Sequence, residues 1–149
     1  MSNQVLTLSE SELTVLLKEM AEIVNSYLSR RLFPSILLSG ELGAGKTTLV
    51  REWLKYVGSK DLANSPTFAL HNIYTWKNIS IHHFDLYRIK EKSELEQTGF
   101  DEIWGYEGIS FIEWWKIADD LIPKLGRIYL NIELPNLDQR TYSISYEGL

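Results

Sequence analysis

Cysteine is missing from all 149 residues, which excludes disulfides and thiolate metal sites outright. Histidine is scarce too, and His71, His82 and His83 lack the spacing of a metal-binding helix pair. No apolar stretch reaches the roughly 18–20 residues that a bilayer span needs. The start, Met1-Ser2-Asn3-Gln4, has neither the basic nor the apolar region of a secretory signal. No membrane contact and a cytoplasmic address are therefore expected. Basic clusters are absent as well: the formal net charge is −5, and Arg30-Arg31 is the only adjacent basic pair. A direct grip on nucleic acid needs clustered cations to displace counterions, so any nucleic-acid role is expected to run through a protein partner.

What is present is ordinary globular material, 44% hydrophobic and 23% charged. It carries no repeat, low-complexity stretch or linker, so a single domain over residues 1–149 is expected. Ser9-Glu10-Ser11-Glu12 reads as a capping box, and Leu13, Leu16, Leu17, Met20, Val24, Tyr27 and Leu28 follow at helical spacing. The spacing predicts a helix ending near Arg30-Arg31. Ser35–Ser39 reads as a short buried strand, and Lys46–Val57 as a helix stopped by Gly58. Phe68–Tyr74 and Ile79–Leu86 read as an antiparallel hairpin around Trp76-Lys77-Asn78. Ser93-Glu94-Leu95-Glu96 reads as a second capping box whose helix ends at Gly99. Gly108–Trp114 is a further apolar strand, and Arg127–Leu134 with Thr141–Tyr146 a closing hairpin. The expected architecture is α/β: a mixed sheet with flanking helices, antiparallel hairpins added to a parallel core.

Chemistry concentrates at one junction. Gly40-Glu41-Leu42-Gly43-Ala44-Gly45-Lys46-Thr47 matches G-x-x-x-x-G-K-[ST] in full, between an expected strand and an expected helix. Glycines let the backbone curl so that successive N–H groups face phosphate oxygens, and the helix adds the positive end of its dipole. In this pattern Lys46 reaches the β- and γ-phosphates, and the Thr47 hydroxyl ligates Mg²⁺. A glycine-rich turn that binds nothing would leave Lys46 and Thr47 without a purpose. No Asn-Lys-x-Asp element for reading guanine occurs, so ATP is the expected nucleotide.

Phosphoryl transfer also needs a carboxylate behind the metal and a group that orients the attacking water. Asp85, closing Ile81-His82-His83-Phe84, and Glu113, closing Ile109-Ser110-Phe111-Ile112, are equally eligible by pattern. Each alone also fits an acid at a solvated strand end. Arg88 fits either a partner for Asp85 or phosphate, or a surface ion pair worth little. Ser65-Pro66-Thr67-Phe68 stands where a loop would cover the γ-phosphate, with Pro66 forcing Ser65 extended and Thr67 offering a hydroxyl; a plain loop-to-strand connector has the same spacing. Trp114-Trp115 reads as a wall of the site, or as core or interface.

From about Val5 to Ile132 the chain resembles the TsaE family, the bacterial ATPases of tRNA threonylcarbamoyladenosine synthesis. The carriers are the 40–48 loop, Ser65-Pro66-Thr67-Phe68, His83-Phe84-Asp85-Leu86-Tyr87-Arg88 and Glu113-Trp114. The first is generic to P-loop proteins; the other three, in this order, are specific. The family often has a proline after the Glu-Trp pair, where Trp115 stands here. The resemblance implies that Thr47 and Glu113 hold Mg²⁺ and that Asp85 is a catalytic acid near the γ-phosphate. It implies that Thr48 follows Thr47 in contacting nucleotide, and that Ser11, in the stretch Leu8–Ser11, lies on the adenine side. As partner it implies the TsaD–TsaB complex, which modifies adenosine 37 of tRNAs reading ANN codons, with tRNA reached only through that complex.

Two other classes compete with a partner-driving ATPase. A small-molecule kinase would carry a lid rich in arginine, yet Arg51, Arg88, Arg127 and Arg140 are scattered. A nucleotide-dependent binding module differs from the ATPase only in turnover.

Overall fold

The structure, a computed structural model, describes residues 1–41, 43–61 and 70–147. Seven strands form one sheet: β1 (Ser2–Ser9), β2 (Ser35–Ser39), β3 (His71–Trp76), β4 (Ile79–Asp85), β5 (Ile109–Glu113), β6 (Arg127–Glu133) and β7 (Gln139–Tyr146). Their order is β1-β7-β6-β2-β5-β4-β3. The central four, β6-β2-β5-β4, run parallel, while β3 adds antiparallel to β4 and β7 to β6. The expected hairpins on a parallel core are both there.

β2 is central because its residues can be buried on both faces, as parallel strands are. Ile36 and Leu38 face one core, and Leu37 the other. The larger core receives helices α1 (Thr14–Ser29) and α2 (Lys46–Val57), with Leu16, Val24, Tyr27, Val50 and Trp53 almost without exposure. Burying each such side chain is worth roughly 1.5–3 kcal/mol, which is what holds α2, and the loop before it, against the sheet. The opposite core packs Phe84, Trp104 and Ile112 under α3 (Lys92–Thr98) and short 3-10 segments.

Several local expectations shift. The box at Ser9 and Glu12 forms, with the Glu12 carboxylate accepting from the Ser9 N–H at 3.0 Å, but it opens a single 3-10 turn before α1 begins at Thr14. The second box is Glu91 with Glu94, two residues earlier than Ser93 with Glu96. The β3–β4 turn is Lys77-Asn78 alone, both at positive φ (47° and 66°), the two-residue form that suits twisted strands. Trp76 therefore stays in the ladder, opposite Ile79. The expected strand start at Phe68 lies outside the described residues. β1 was not expected at all; it runs antiparallel along β7 from Ser2 opposite Tyr146 to Ser9 opposite Gln139. Among the described residues no helix is long and apolar enough to cross a membrane.

Candidate functional site

β2 runs into the glycine-rich loop and the loop into α2, so the matched pattern has its required strand–loop–helix placement. Gly40 has φ +149°, and a Cβ there would stand 2.7 Å from the Ile132 carbonyl oxygen of neighbouring β6. No larger residue fits that passage. Gly43 and Gly45, at φ +82° and +104°, take left-handed conformations that a side chain disfavours. The turn is closed by the Ala44 N–H donating to the Glu41 carbonyl at 3.0 Å, and α2 begins as the Leu49 N–H donates to Gly45. The first N–H groups of a helix have no intrahelical partner, which makes such an end suited to an anion. Arg140 of β7 reaches across and donates its Nε–H to the Ala44 carbonyl at 2.9 Å, holding the loop from outside.

Lys46 folds back over the loop. Its Nζ donates to the Gly40 carbonyl at 2.6 Å and lies 3.9 Å from the centre of the Trp114 ring. Burial lowers its pKa, opposed by the charges of Glu113 and Asp85. The Thr47 hydroxyl donates to Glu113 Oε2 at 3.0 Å. Asp85 and Glu113 are register partners on β4 and β5, so both carboxylates arrive at the same level of the sheet. Burial, with Glu113 adding to it, pushes the Asp85 carboxyl up, against the Tyr87 N–H that donates to its Oδ1 at 3.0 Å and the nearby His83 and Lys46. Glu113 also pairs with His83 Nε2.

A cleft of about 720 Å³ opens beside the loop, bounded by Gly40, Glu41, Lys46, Tyr87, Trp114 and Trp115. Trp114 has φ +58°, a strained value for a bulky residue that turns the chain sharply after Glu113. Its ring meets Tyr87 at 4.9 Å. Trp115 donates its indole N–H to Ser39 Oγ at 2.9 Å and so ties the turn to the end of β2. Arg127, 3% exposed, braces the segment that follows: it donates to the Asp119 carboxylate and to the carbonyls of Asp119, Ile122 and Pro123.

Of the residues expected from sequence, the fold brings Lys46, Thr47, Asp85 and Glu113 together beside Gly43, Ala44 and Gly45. Glu41 lines the cleft, and Thr48 is exposed on the first turn of α2. Ser11 is exposed, its hydroxyl 3.1 Å from that of Ser9. Arg88 is exposed and has no ion pair among the described residues. Leu42 and Thr67 lie outside the described residues. Trp114, one of the two tryptophans read as a wall, covers Lys46; two residues with no role assigned by sequence also belong to the site, Arg140 and the imidazole of His83. The alternation His83–Asp85, two residues apart on one strand face, was the available signal for His83.

The oxygens of Thr47 and Glu113, with the Asp85 carboxylate alongside, are the hard donors that Mg²⁺ takes. No group of three or more His, Asp and Glu able to hold a metal occurs among the described residues. Mg²⁺ uses one or two protein ligands and completes its shell with water and phosphate.

The family model described as "Threonylcarbamoyl adenosine biosynthesis protein TsaE" matches residues 7–142. A protein named tRNA threonylcarbamoyladenosine biosynthesis protein TsaE from Rickettsia typhi is 40% identical over 115 residues, 76% of this chain and 78% of that one. Proteins of the same name from Bacillus subtilis and Haemophilus influenzae are 30% and 38% identical, over 76% and 66% of this chain and 70% and 61% of theirs. The crystal structure of Bacillus subtilis YdiB superposes with a TM-score of 0.68 over 99% of this chain and 87% of that one, at 20% identity, a likeness of fold.

Proposed function

The chain belongs to the TsaE family of threonylcarbamoyl adenosine biosynthesis proteins, and from that premise we propose that it is a Mg²⁺-dependent ATPase serving tRNA modification. The observation that carries the reading is the Thr47–Glu113 hydrogen bond of 3.0 Å, placed beside a lysine folded over a strand–loop–helix phosphate cradle. Backbone from Glu41 to Thr48 wraps the phosphates, and Lys46 neutralises charge on the terminal phosphates. Thr47 and Glu113 would hold Mg²⁺, which supplies charge neutralisation on the β- and γ-phosphates. Asp85, its carboxyl held up by burial, accepts a proton from the attacking water or orients it. Ser11 and Thr67 contribute lesser contacts to the nucleotide.

The work done with ATP lies in a partner. We assign that partner as the TsaD–TsaB complex in the cytoplasm, which transfers a threonylcarbamoyl group to adenosine 37 of tRNAs reading ANN codons. Hydrolysis by this chain would then support repeated turnover of the complex. The charge of −5 supports a protein that acts on tRNA through another protein. A second reading, a nucleotide switch with negligible turnover, is favoured by the arginines: Arg127 is committed to bracing the 119–123 segment and the Nε of Arg140 to Ala44.

The test follows the γ-phosphate of labelled ATP. Release as inorganic phosphate with Mg²⁺, abolished by EDTA and by Lys46→Ala, supports the ATPase. Label appearing on a small-molecule acceptor would establish a kinase instead. Tight binding without release would leave the switch.

A further inference from the structure

Glu113 is a carboxylate almost sealed from solvent: its side chain is 4% exposed and that of His83 is 1% exposed. A charge buried to that degree needs donors. Two converge on the same oxygen. Thr47 donates to Oε2 from α2, and the His83 imidazole meets Oε2 from β4 through Nε2. A carboxylate only accepts, so Nε2 carries the hydrogen of this contact.

The sheet explains the arrangement. Asp85 is opposite Glu113 across the β4–β5 ladder, and His83 is two residues back on the same strand, opposite Phe111. Residues two apart share a face, so His83 and Asp85 flank Glu113 on the side that receives α2. His82 and Phe84 turn to the other side, where they stack with His71. His83 thus bonds to the site through Glu113. With Oε2 engaged by both donors, the rotation of the carboxylate is fixed, and Oε1 is left as the oxygen that neither engages.

We infer that His83 is a positioning residue: its Nε2–H locks the Glu113 carboxylate in the orientation that a nucleotide-bound Mg²⁺ requires. This rests on the reading of Thr47 and Glu113 as the Mg²⁺ pair. Such outer hydrogen bonds orient a metal ligand, and their loss typically costs 10–100-fold in metal affinity. The same bond acting only as structural support would change nucleotide affinity equally with and without metal.

The test is a titration of the whole chain with a fluorescent ADP, once with Mg²⁺ and once with EDTA, reading the ratio of the two affinities. In His83→Leu the Mg²⁺ gain falls about 10-fold or more, while affinity in EDTA stays near that of the parent. His83→Gln, whose amide nitrogen replaces Nε2, restores the gain; His83→Asn, too short to reach Oε2, does not. In a Glu113→Gln background His83→Leu adds nothing further. A parent whose gain survives His83→Leu, equal loss in the Gln and Asn variants, or equal loss in EDTA overturns the inference and leaves the Mg²⁺ reading standing. A parent with no Mg²⁺ gain overturns both. If His83→Leu does not fold, the Gln and Asn pair decides.

Discussion

Asp85 and Glu113 stand opposite each other on adjacent parallel strands, and their carboxylates divide the site's chemistry by what surrounds each one. Glu113 is bonded to Thr47 and His83. Asp85 receives one backbone N–H, from Tyr87, and its carboxyl is pushed up chiefly by burial. A bound, fixed acid suits a metal ligand; an acid with a raised pKa suits proton transfer.

Asp85→Asn keeps shape and removes the carboxylate proposed to act on the attacking water. ATP turnover is expected to fall by about 10²–10⁴-fold, the usual contribution of a general base, with nucleotide affinity unchanged. Equilibrium titration beside a phosphate-release assay measures both.

Lys46→Ala and Glu113→Ala are expected to separate. Lys46 lies on the phosphate cradle through Gly40, so its loss abolishes nucleotide binding. Glu113 meets the hydroxyl of Thr47, so its loss removes Mg²⁺-dependent hydrolysis while nucleotide still binds. Calorimetric titration of both variants with and without Mg²⁺ checks this, and equal loss of binding would refute the division of roles.

Arg140→Met removes the donor that holds the Ala44 carbonyl at 2.9 Å. A hydrogen bond of this kind is worth about 0.5–1.5 kcal/mol net, so nucleotide affinity should weaken about 3- to 10-fold. The melting temperature should move by only a few degrees, because β7 keeps its ladders to β1 and β6.

The stability of the fold should fall on acidification. Burial, with His82 and His83 beside it, lowers His71 from 6.5 to about 4, and burial lowers His82 as well. Above pH 6.5 both states leave His71 neutral. Between 6.5 and about 4 the unfolded chain takes up a proton that the folded chain refuses, so stability is lost as pH falls through that window. His71→Phe, which keeps the stack on Phe84, should flatten the slope of melting temperature against pH there, whatever its effect at neutral pH.

The central loop was legible because its constraint is local: an oxygen at 2.7 Å from any Cβ at residue 40 can be met only by glycine, and the pattern shows it. The parallel core was legible for a related reason, since doubly buried strands read as unbroken apolar runs. β1 was not, because it is an edge strand in which only Leu8 is buried and Val5 is 65% exposed. Its pairing is dictated by β7, with partners from Ser9 opposite Gln139 to Ser2 opposite Tyr146 at the far end of the chain. The second capping box was ambiguous by composition, as both Glu91 and Ser93 have a glutamate three residues on. The Lys90 and Glu91 N–H groups resolve it by bonding Glu94 Oε1 at 3.4 and 3.2 Å. Arg140 and His83 escaped notice for the same reason as β1: their partners lie 96 and 30 residues distant, and only the sheet brings them near.

The most direct measurement is ATP turnover by this chain alone and mixed with TsaD–TsaB, with Lys46→Ala as control. No arginine is positioned by sequence as a finger for the transition state, and one supplied by a partner raises turnover by roughly 10³–10⁵-fold. Partner-driven hydrolysis gives a slow rate alone, a rate that climbs with the complex, and none in the variant. An equal rate with and without the complex, or no turnover in either despite tight ATP binding, would contradict it.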